Sequence, residues 1–393
     1  SILLTIVFLT LFEYIRAKSF TGFPWLMPSI ILSSNQYLIQ IFSFIGSFTA
    51  NLFVFSLSIL PFIFISNFKS KYIIFSSLFI PMIILLFFSF NRFHNKDINK
   101  MNKQLITLVQ PNIEQKDKWR PETRNANLEK LTQLSLQKAS KFKDINRIII
   151  WPETSFEGTI PKEMELLSSI SKKILKDSKA ILVVGLLRAE NNKLFNSMVF
   201  LNPNGNIIHQ YDKIHLVPFG EYIPFRNNFS TLANFFSTKD FTSGNIKQNF
   251  KFKEFGEILT LICYEILFTE EIFPRLSANT NLLINITNDA WFGKTVGPYQ
   301  HLALAKIKSV ELGVPLARVA NTGISALISP YGRIITKIPL YKSGVKTALL
   351  IAPLENTIYK KYGNILFIVC ILSLVIINKL SQNKIMREFK NEK

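Results

Sequence analysis

Three side chains of complementary chemistry end predicted β-strands or lie in the loops that follow them. They are Glu153 in the string RIIIWPE, Lys213 in HQYDKIHLVPFGEYIPF and Cys263 in LTLICYE. Strand ends are where α/β proteins place ligands and catalysts. A cysteine becomes a useful nucleophile beside a base or a cation. A carboxylate can take its proton, and an ammonium group can stabilise an oxyanion. The three residue types therefore predict nucleophilic catalysis by a thiol.

Each of these residues also has an ordinary structural interpretation. A glutamate after Trp-Pro is often a solvated loop residue, a lysine in a polar loop is often on the surface, and a cysteine closing an apolar strand is often buried filler. The three together favour catalysis more than any one of them alone.

The second cysteine, Cys370, lies in an apolar run and is interpreted as a packing residue. Two cysteines are too few for a disulfide framework. With four histidines and no HxxxH or CxxC spacing, the sequence predicts no metal site and no other cofactor.

The chain between residues 104 and 330 alternates short β-rich runs with amphipathic stretches. Several runs are continuously apolar, as expected of strands that are buried on both faces. Strands are predicted at 104–110, 147–151, 180–187, 197–202, 207–211, 258–263, 282–287, 314–320 and 325–330. Helices are predicted at 125–143, 162–178 and 299–312, and hairpin turns at 203–206 and 330–333. This pattern predicts an α/β fold in which helices are layered on sheets.

Both ends of the chain are apolar enough to cross a membrane. Residues 41–65 and 72–90 carry no charge and reach the length of about 20 residues that a spanning helix needs. Residues 1–15 resemble a further span, and residues 365–377 form a shorter apolar run with tyrosines and lysines at its flanks, as at a membrane interface. The alternative for each stretch is a buried core helix. The two long stretches favour a membrane protein.

The formal net charge is +20, from 46 basic and 26 acidic residues, while only 18% of the residues are charged. Such a surplus is often found in nucleic-acid-binding proteins, but no nucleic-acid motif is present, and a basic protein beside an anionic bilayer is the simpler interpretation. Lys69 and Lys71 lie between two predicted spans. The last span is followed by Lys379, Lys384, Arg387, Lys390 and Lys393. If both groups are cytoplasmic, the segment 91–363 lies on the outer side. Basic residues at two places then lie on the outer side against the same rule, namely Arg16 and Lys18, and Arg92, Lys96, Lys100 and Lys103.

Local strings in the chain resemble the apolipoprotein N-acyltransferase family of the nitrilase superfamily. The similar strings are TGFPW (21–25), QPNIEQKDKW (110–119), IIIWPETS (148–155), YDKIHLVPFGEYIPF (211–225), LICYEILF (261–268) and NDAWFGKTVGPYQH (288–301). The resemblance implies a nitrilase-like α-β-β-α sandwich inserted between transmembrane helices. It implies transmembrane helices over 1–95, a catalytic domain over 102–352, and a final transmembrane helix with a basic tail over 353–393. The family has more spans ahead of the region equivalent to 1–15, so we expect that the chain begins within a longer protein.

The resemblance also assigns roles to residues. It implies that Cys263 is the nucleophile, Glu153 the general base and Lys213 the group that stabilises the tetrahedral oxyanion. Further positions of the family's site fall on Glu221, which supports it, on Tyr264 and Glu265, which flank the nucleophile, and on Trp119, in a mobile part that contacts substrate.

The implied reaction is acyl transfer from a phospholipid, typically phosphatidylethanolamine, through a cysteine thioester to the N-terminal amine of a diacylglyceryl-cysteine lipoprotein. The implied location is the bacterial inner membrane, with the catalytic domain on the periplasmic side. The alternatives are a membrane-tethered amidase that hydrolyses a small amide, a non-enzymatic scaffold and a basic nucleic-acid binder. A scaffold predicts a degraded triad, whereas Glu153, Lys213 and Cys263 are all present. A nucleic-acid binder predicts salt-sensitive binding.

Overall fold

The computed structural model describes residues 2–65, 71–94, 101–137, 142, 144–224, 240–245 and 250–391. The chain divides into two compact units. One comprises Ser1–Asp97, Lys306–Gly313 and Leu354–Lys393, and the other comprises Ile98–Ala305 and Val314–Pro353. Parts of the sequence predictions lie outside the described residues, namely Lys69, Phe225, Lys393 and most of 138–143.

The first unit is built from apolar helices. They are Ile2–Lys18, Phe42–Ile65, Lys71–His94, the short Ile358–Tyr362, and Ile365–Asn391. Three stretches are long and apolar enough to cross a membrane, namely Leu38–Ile63, Tyr72–His94 and Ile365–Asn383. The last two leave most of their side chains exposed, including Phe87 and Leu372. Exposed apolar helices of this length are typical of lipid-facing spans. The prediction of helices fit to span a membrane is confirmed at these three stretches; the helix Ile2–Lys18, at the predicted span 1–15, is not among them.

The span predicted at 41–65 is a helix with a kink rather than one regular helix. Gly46 has a φ of 68°, inside the region that residues with a Cβ atom rarely adopt. The ring of Tyr359 packs directly against Gly46 and occupies the space that a Cβ atom would need. Glycine is therefore required at this position both by the backbone and by the packing.

The second unit contains two β-sheets. The strands are β1 Met101–Gln110, β2 Arg147–Ile150, β3 Thr159–Ile160, β4 Ala180–Glu190, β5 Lys193–Leu201, β6 Ile207–Asp212, β7 Phe250–Phe252, β8 Gly256–Ile262, β9 Thr280–Thr287, β10 Leu316–Ala320, β11 Ser325–Ile328, β12 Ile334–Ile338 and β13 Gly344–Ile351. The strand orders are β13-β1-β2-β4-β5-β6, with β3 beside β4, and β12-β11-β10-β9-β8-β7. Each sheet has a parallel centre, β1-β2-β4 in one and β8-β9-β10 in the other.

Successive side chains of a strand point to opposite faces of its sheet, so alternate residues enter different hydrophobic cores. On β2, Ile148 and Ile150 enter the core between the sheets with Ile284 and Ile286 of β9. The intervening Ile149 enters a second core, which includes residues of two helices. These helices are Pro121–Leu136 and Met164–Leu175, and a further helix, Gly297–Leu312, follows β9. The prediction of a mixed α/β, nitrilase-like fold is confirmed.

Several edge elements differ from the sequence prediction. Strands β7, β12 and β13 were not predicted, because lysine and threonine interrupt their apolar residues and they are only partly buried. The strands with which they pair lie far away in the sequence or across a turn, so local pattern does not reveal the pairing; β13, for example, pairs with β1. The helix predicted at 125–143 begins earlier, at Pro121, where proline fits the first turn because that turn needs no backbone donor.

Candidate active site

Cys263 lies where β8 ends, at the start of a short 3₁₀-helix, Cys263–Leu267. Its φ of 55° is in the left-handed region, which costs a non-glycine residue on the order of 1–3 kcal/mol. The side chain is partly exposed. The amide of Asn285, on the neighbouring strand β9, donates a hydrogen bond of 3.2 Å to the carbonyl oxygen of Cys263. The turn therefore places the cysteine at the end of the strand with its backbone carbonyl held.

Glu153 and Lys213 are buried beside each other, with exposed fractions of 6% and 1%. The Lys213 Nζ atom lies 3.5 Å from Glu153 Oε1 and 2.8 Å from Glu221 Oε2. The amide of Asn196 donates to Oε1 of both carboxylates, at 2.8 and 2.9 Å. The backbone N–H of Asn288 donates to the other oxygen of Glu153 at 2.8 Å. One lysine and one asparagine thus hold two carboxylates in a single buried network.

The charges of this network act on the thiol of Cys263. The pKa of Cys263 is raised to about 12, first by burial and then by the negative charge of Glu153, while the positive charge of Lys213 acts to lower it. Burial also disfavours the charge of Lys213, but attraction to Glu221 and Glu153 outweighs it, so the pKa of Lys213 is raised above its ordinary value. The resting state therefore combines a neutral thiol with a charged ammonium group. Nucleophilic use of this sulfur would therefore require a nearby carboxylate to take its proton.

The predicted supporting residues Glu221, Tyr264 and Glu265 also lie in this region. Glu221 is an ion-pair partner of Lys213, and its carboxylate accepts a hydrogen bond from the Val217 backbone at 2.8 Å. Tyr264 is buried, and burial raises its pKa. Glu265 accepts hydrogen bonds from the backbone N–H groups of Ile262 and Ile214, both at 2.6 Å. Glu265 therefore joins the strand before Cys263 to the loop after Lys213.

Trp119 is placed differently from the buried members of the site. Its side chain is 43% exposed, and its φ of 69° is again in the left-handed region. Its backbone N–H donates to the carboxylate of Glu157 at 3.1 Å, and Asn127 donates to the same carboxylate at 2.8 Å. An indole that is anchored by its backbone and open to solvent is suited to contact an apolar substrate.

Sequence reasoning did not identify Lys118, although it lies in the string QPNIEQKDKW. Its ammonium group is buried and donates to the backbone oxygen of Glu153 at 3.2 Å and to the hydroxyl of Thr154 at 2.6 Å. Burial lowers the pKa of Lys118 to about 8, while the charges of Glu153, Glu157 and Cys263 oppose that effect. Asn196 and Asn288 were also missed. Nothing in the sequence pattern distinguishes a buried lysine in a polar loop from a surface one.

The lowered pKa of Lys118 predicts a pH-dependent stability. Between about pH 8 and 10.5 the unfolded chain binds a proton here that the folded chain has lost, so stability rises with pH in that window. Below pH 8 both states are protonated and the full burial cost applies. The thermal unfolding midpoint of Lys118→Met, relative to the unsubstituted chain, is therefore expected to be highest below pH 8 and to fall as the pH approaches 10.5. Differential scanning calorimetry of the detergent-solubilised chain measures this difference.

Lys116→Met is the matched control, because Lys116 lies two residues away and is exposed beside Glu114. It should show no such decline. A pH-independent difference for Lys118→Met would mean that the Lys118 ammonium is solvated.

Comparisons with known proteins place this chain in a family. The sequence profile of the carbon-nitrogen hydrolase family matches residues 105–358, and the profile of the apolipoprotein N-acyltransferase N-terminal domain matches residues 1–60. The chain is 34% identical to the apolipoprotein N-acyltransferase of Rickettsia bellii over 385 residues, which is 96% of this chain and 75% of that protein. It is 30% identical to the protein of that name in Rhodopseudomonas palustris, over 95% of this chain and 73% of that protein.

Among solved structures, the chain is similar to Saccharomyces cerevisiae Nit3, a member of the nitrilase superfamily. The similarity has a TM-score of 0.48 and 18% sequence identity, and it covers 67% of this chain and 94% of Nit3. The family assignment depends on the two sequence profiles and on the relatives, which together span the apolar N-terminal part and the α/β part. The resemblance predicted from the sequence is confirmed. This chain belongs to the apolipoprotein N-acyltransferase family of carbon-nitrogen hydrolase proteins.

Proposed function

We propose that this protein transfers an acyl chain from a phospholipid to the N-terminal amine of diacylglyceryl-cysteine lipoproteins, through a thioester on Cys263. The observation that supports this most is the combination of a buried Glu153–Lys213 pair beside a partly exposed cysteine with helices fit to span a membrane. Both substrates carry acyl chains, and exposing these to water costs about 0.8 kcal/mol per CH₂ group. A membrane-anchored enzyme can meet both substrates without removing them from the bilayer.

In the first half-reaction, Glu153 takes the thiol proton as the Cys263 sulfur attacks the ester carbonyl carbon of the phospholipid. The oxyanion that forms is stabilised by the Lys213 ammonium group and by backbone N–H groups. When the intermediate collapses, the bond between carbon and the ester oxygen breaks. Glu153 returns the proton to that oxygen, so a lysophospholipid leaves and the acyl chain remains on sulfur.

In the second half-reaction, the neutral α-amine of the lipoprotein attacks the thioester carbon. Glu153 takes a proton from the nitrogen, and Lys213 again stabilises the oxyanion. The carbon–sulfur bond breaks, the sulfur regains a proton from Glu153, and an amide is formed. Glu221, Tyr264 and Glu265 support the site, and Trp119 contacts the acyl chain. No step requires a metal ion or another cofactor.

We place this chemistry in residues 102–352, between membrane segments at 1–95 and 353–393, on the periplasmic side of the bacterial inner membrane. The support is the charge distribution, with Lys71 after one predicted span and Lys379 after the last. Phosphatidylethanolamine is the proposed donor because it is the donor implied by the sequence resemblance.

Intact-mass analysis of the full chain after incubation with phosphatidylethanolamine tests the proposal. The expected result is a mass increase of one acyl group, located on Cys263 by peptide mapping and removed by a diacylglyceryl-cysteine peptide. The alternative is a membrane-tethered amidase, which would release ammonia from a small amide and leave phospholipid unchanged. An active preparation in which Cys263 stays unmodified would exclude the thioester mechanism.

A further inference from the structure

Thr287 ends strand β9, and its hydroxyl oxygen lies between two groups that both compete for hydrogen bonds. The hydroxyl is placed to donate a hydrogen bond either to Cys263 Sγ, at 3.1 Å, or to Asp289 Oδ1, at 3.0 Å. A hydroxyl group has one hydrogen and two lone pairs, so it can donate to only one of these partners. The protonation of the other two groups decides which partner receives the hydrogen.

Asp289 is buried in a network that keeps it ionised. The Arg318 guanidinium donates to its Oδ2 atom at 2.7 Å, and His301 Nδ1 lies 2.9 Å from its Oδ1 atom. Burial disfavours the carboxylate charge, but Arg318 and His301 outweigh burial and hold the pKa of Asp289 well below its ordinary value. Arg318 also donates to Asn285, whose amide holds the Cys263 carbonyl. The network is thus continuous with the turn that carries the nucleophile.

An ionised carboxylate accepts a hydrogen bond more strongly than a thiol sulfur does. The hydrogen of Thr287 therefore points to Asp289, and a lone pair of the Thr287 oxygen faces Cys263. The thiol completes the chain by donating its hydrogen to Thr287. The charges that act on the thiol are Glu153, Lys213 and Asp289, together with the nearby ammonium of Lys118.

We propose that Thr287, oriented by Asp289, is a positioning residue that accepts the hydrogen of the resting Cys263 thiol and so keeps the sulfur protonated until Glu153 takes that proton. The proposal rests on the proposed role of Cys263 as nucleophile. Rotation of the thiol hydrogen from Thr287 towards Glu153 is then the event that precedes acylation. The resting sulfur is correspondingly protected from alkylation and oxidation, since the thiolate is the reactive form.

The two directions of the Thr287–Cys263 hydrogen bond predict opposite effects of removing Thr287 on the reactivity of Cys263. If Thr287 donated its hydrogen to the sulfur, it would stabilise the thiolate, and its removal would make Cys263 less reactive. If Thr287 accepts, its removal deprives the thiol of a partner and makes the thiolate easier to form.

The test is the rate at which iodoacetamide alkylates Cys263 at pH 8, followed by intact mass in the full detergent-solubilised chain with Cys370→Ala. For Thr287→Val, loss of a hydrogen bond from the weak S–H donor raises the thiolate fraction about threefold. A less basic thiolate is intrinsically slower, so the expected net increase in rate is about twofold. Thr287→Ser keeps the hydroxyl and should alkylate at the unsubstituted rate.

Thr287→Ala also removes the hydroxyl and serves if the valine variant does not fold, as judged by its thermal unfolding. A folded variant that is alkylated more slowly than the unsubstituted chain, or at the same rate, overturns the proposal. That outcome leaves the proposed function intact if the unsubstituted chain still forms its acyl adduct. Absence of the adduct would instead reject the proposed function, whatever the alkylation rates.

Discussion

Replacing Cys263 with alanine is expected to abolish acyl transfer and to leave the fold intact. The sulfur is the only atom of the site that the mechanism bonds to the acyl chain, so neither half-reaction can occur without it. Removing the nucleophile of a comparable catalytic group costs about 10⁶-fold in rate, so turnover should fall below detection. The side chain is partly exposed, and its loss creates only a small cavity. Lysophospholipid release from labelled phosphatidylethanolamine measures the loss.

Cys370→Ala is the matched control for that experiment. Cys370 is the other free cysteine among the described residues, and it lies on the helix Ile365–Asn391 of the first unit. It should transfer acyl chains at close to the unsubstituted rate. Transfer by Cys263→Ala, or an acyl adduct on Cys370, would contradict the assignment of the nucleophile.

Much of the catalytic unit was predictable from local pattern. The buried strands β2, β8 and β9 each contain a short apolar run, so their approximate ends, and the positions of Glu153 and Cys263 after two of them, follow from the sequence. The hairpin between β5 and β6 follows from its turn residues in the same way. Periodicity is informative here because a strand buried on both faces leaves little choice of residue type.

The contacts that tune the site were not predictable in this way. Asn196 bridges Glu153 and Glu221 across 43 and 25 residues of sequence, and Lys118 reaches the backbone of Glu153 across 35. Such contacts depend on sheet order, which hydrophobic pattern does not specify. The kink at Gly46 was missed for the same reason, since the ring that requires it belongs to Tyr359.

The arrangement of charge explains why a cysteine with a raised pKa can still act as a nucleophile. Lys213 faces two carboxylates, and only Glu153 of these also acts on the thiol pKa. Glu221 balances part of the lysine charge, so Glu153 remains available to accept a proton. In the proposed mechanism the sulfur is not activated in advance, and its proton is transferred to Glu153 only as the carbonyl is attacked.

Lys213→Met is expected to slow both half-reactions by about 10²–10³, the effect of removing one oxyanion donor. The substitution has a second consequence, because it leaves Glu153 and Glu221 buried on a shared asparagine with no cation between them. Two such carboxylates do not both stay ionised, so one is expected to hold a proton at neutral pH. The remaining activity should therefore rise with pH more steeply than that of the unsubstituted chain. Pre-steady-state rates of acylation and of thioester aminolysis, measured from pH 6 to 9, separate the two effects.

The double variant Lys213→Met with Glu221→Gln removes the surplus negative charge of the two carboxylates. It does not restore the oxyanion donor that Lys213 provided. It should fold at least as well as the single variant and lose the steeper pH dependence, but it should not regain the rate. Lys193→Met, at an exposed position on strand β5, is the control for loss of a positive charge elsewhere and should leave both rates unchanged. If the single variant turned over as fast as the unsubstituted chain, Lys213 would have no part in stabilising the oxyanion, and its burial between two carboxylates would be purely structural.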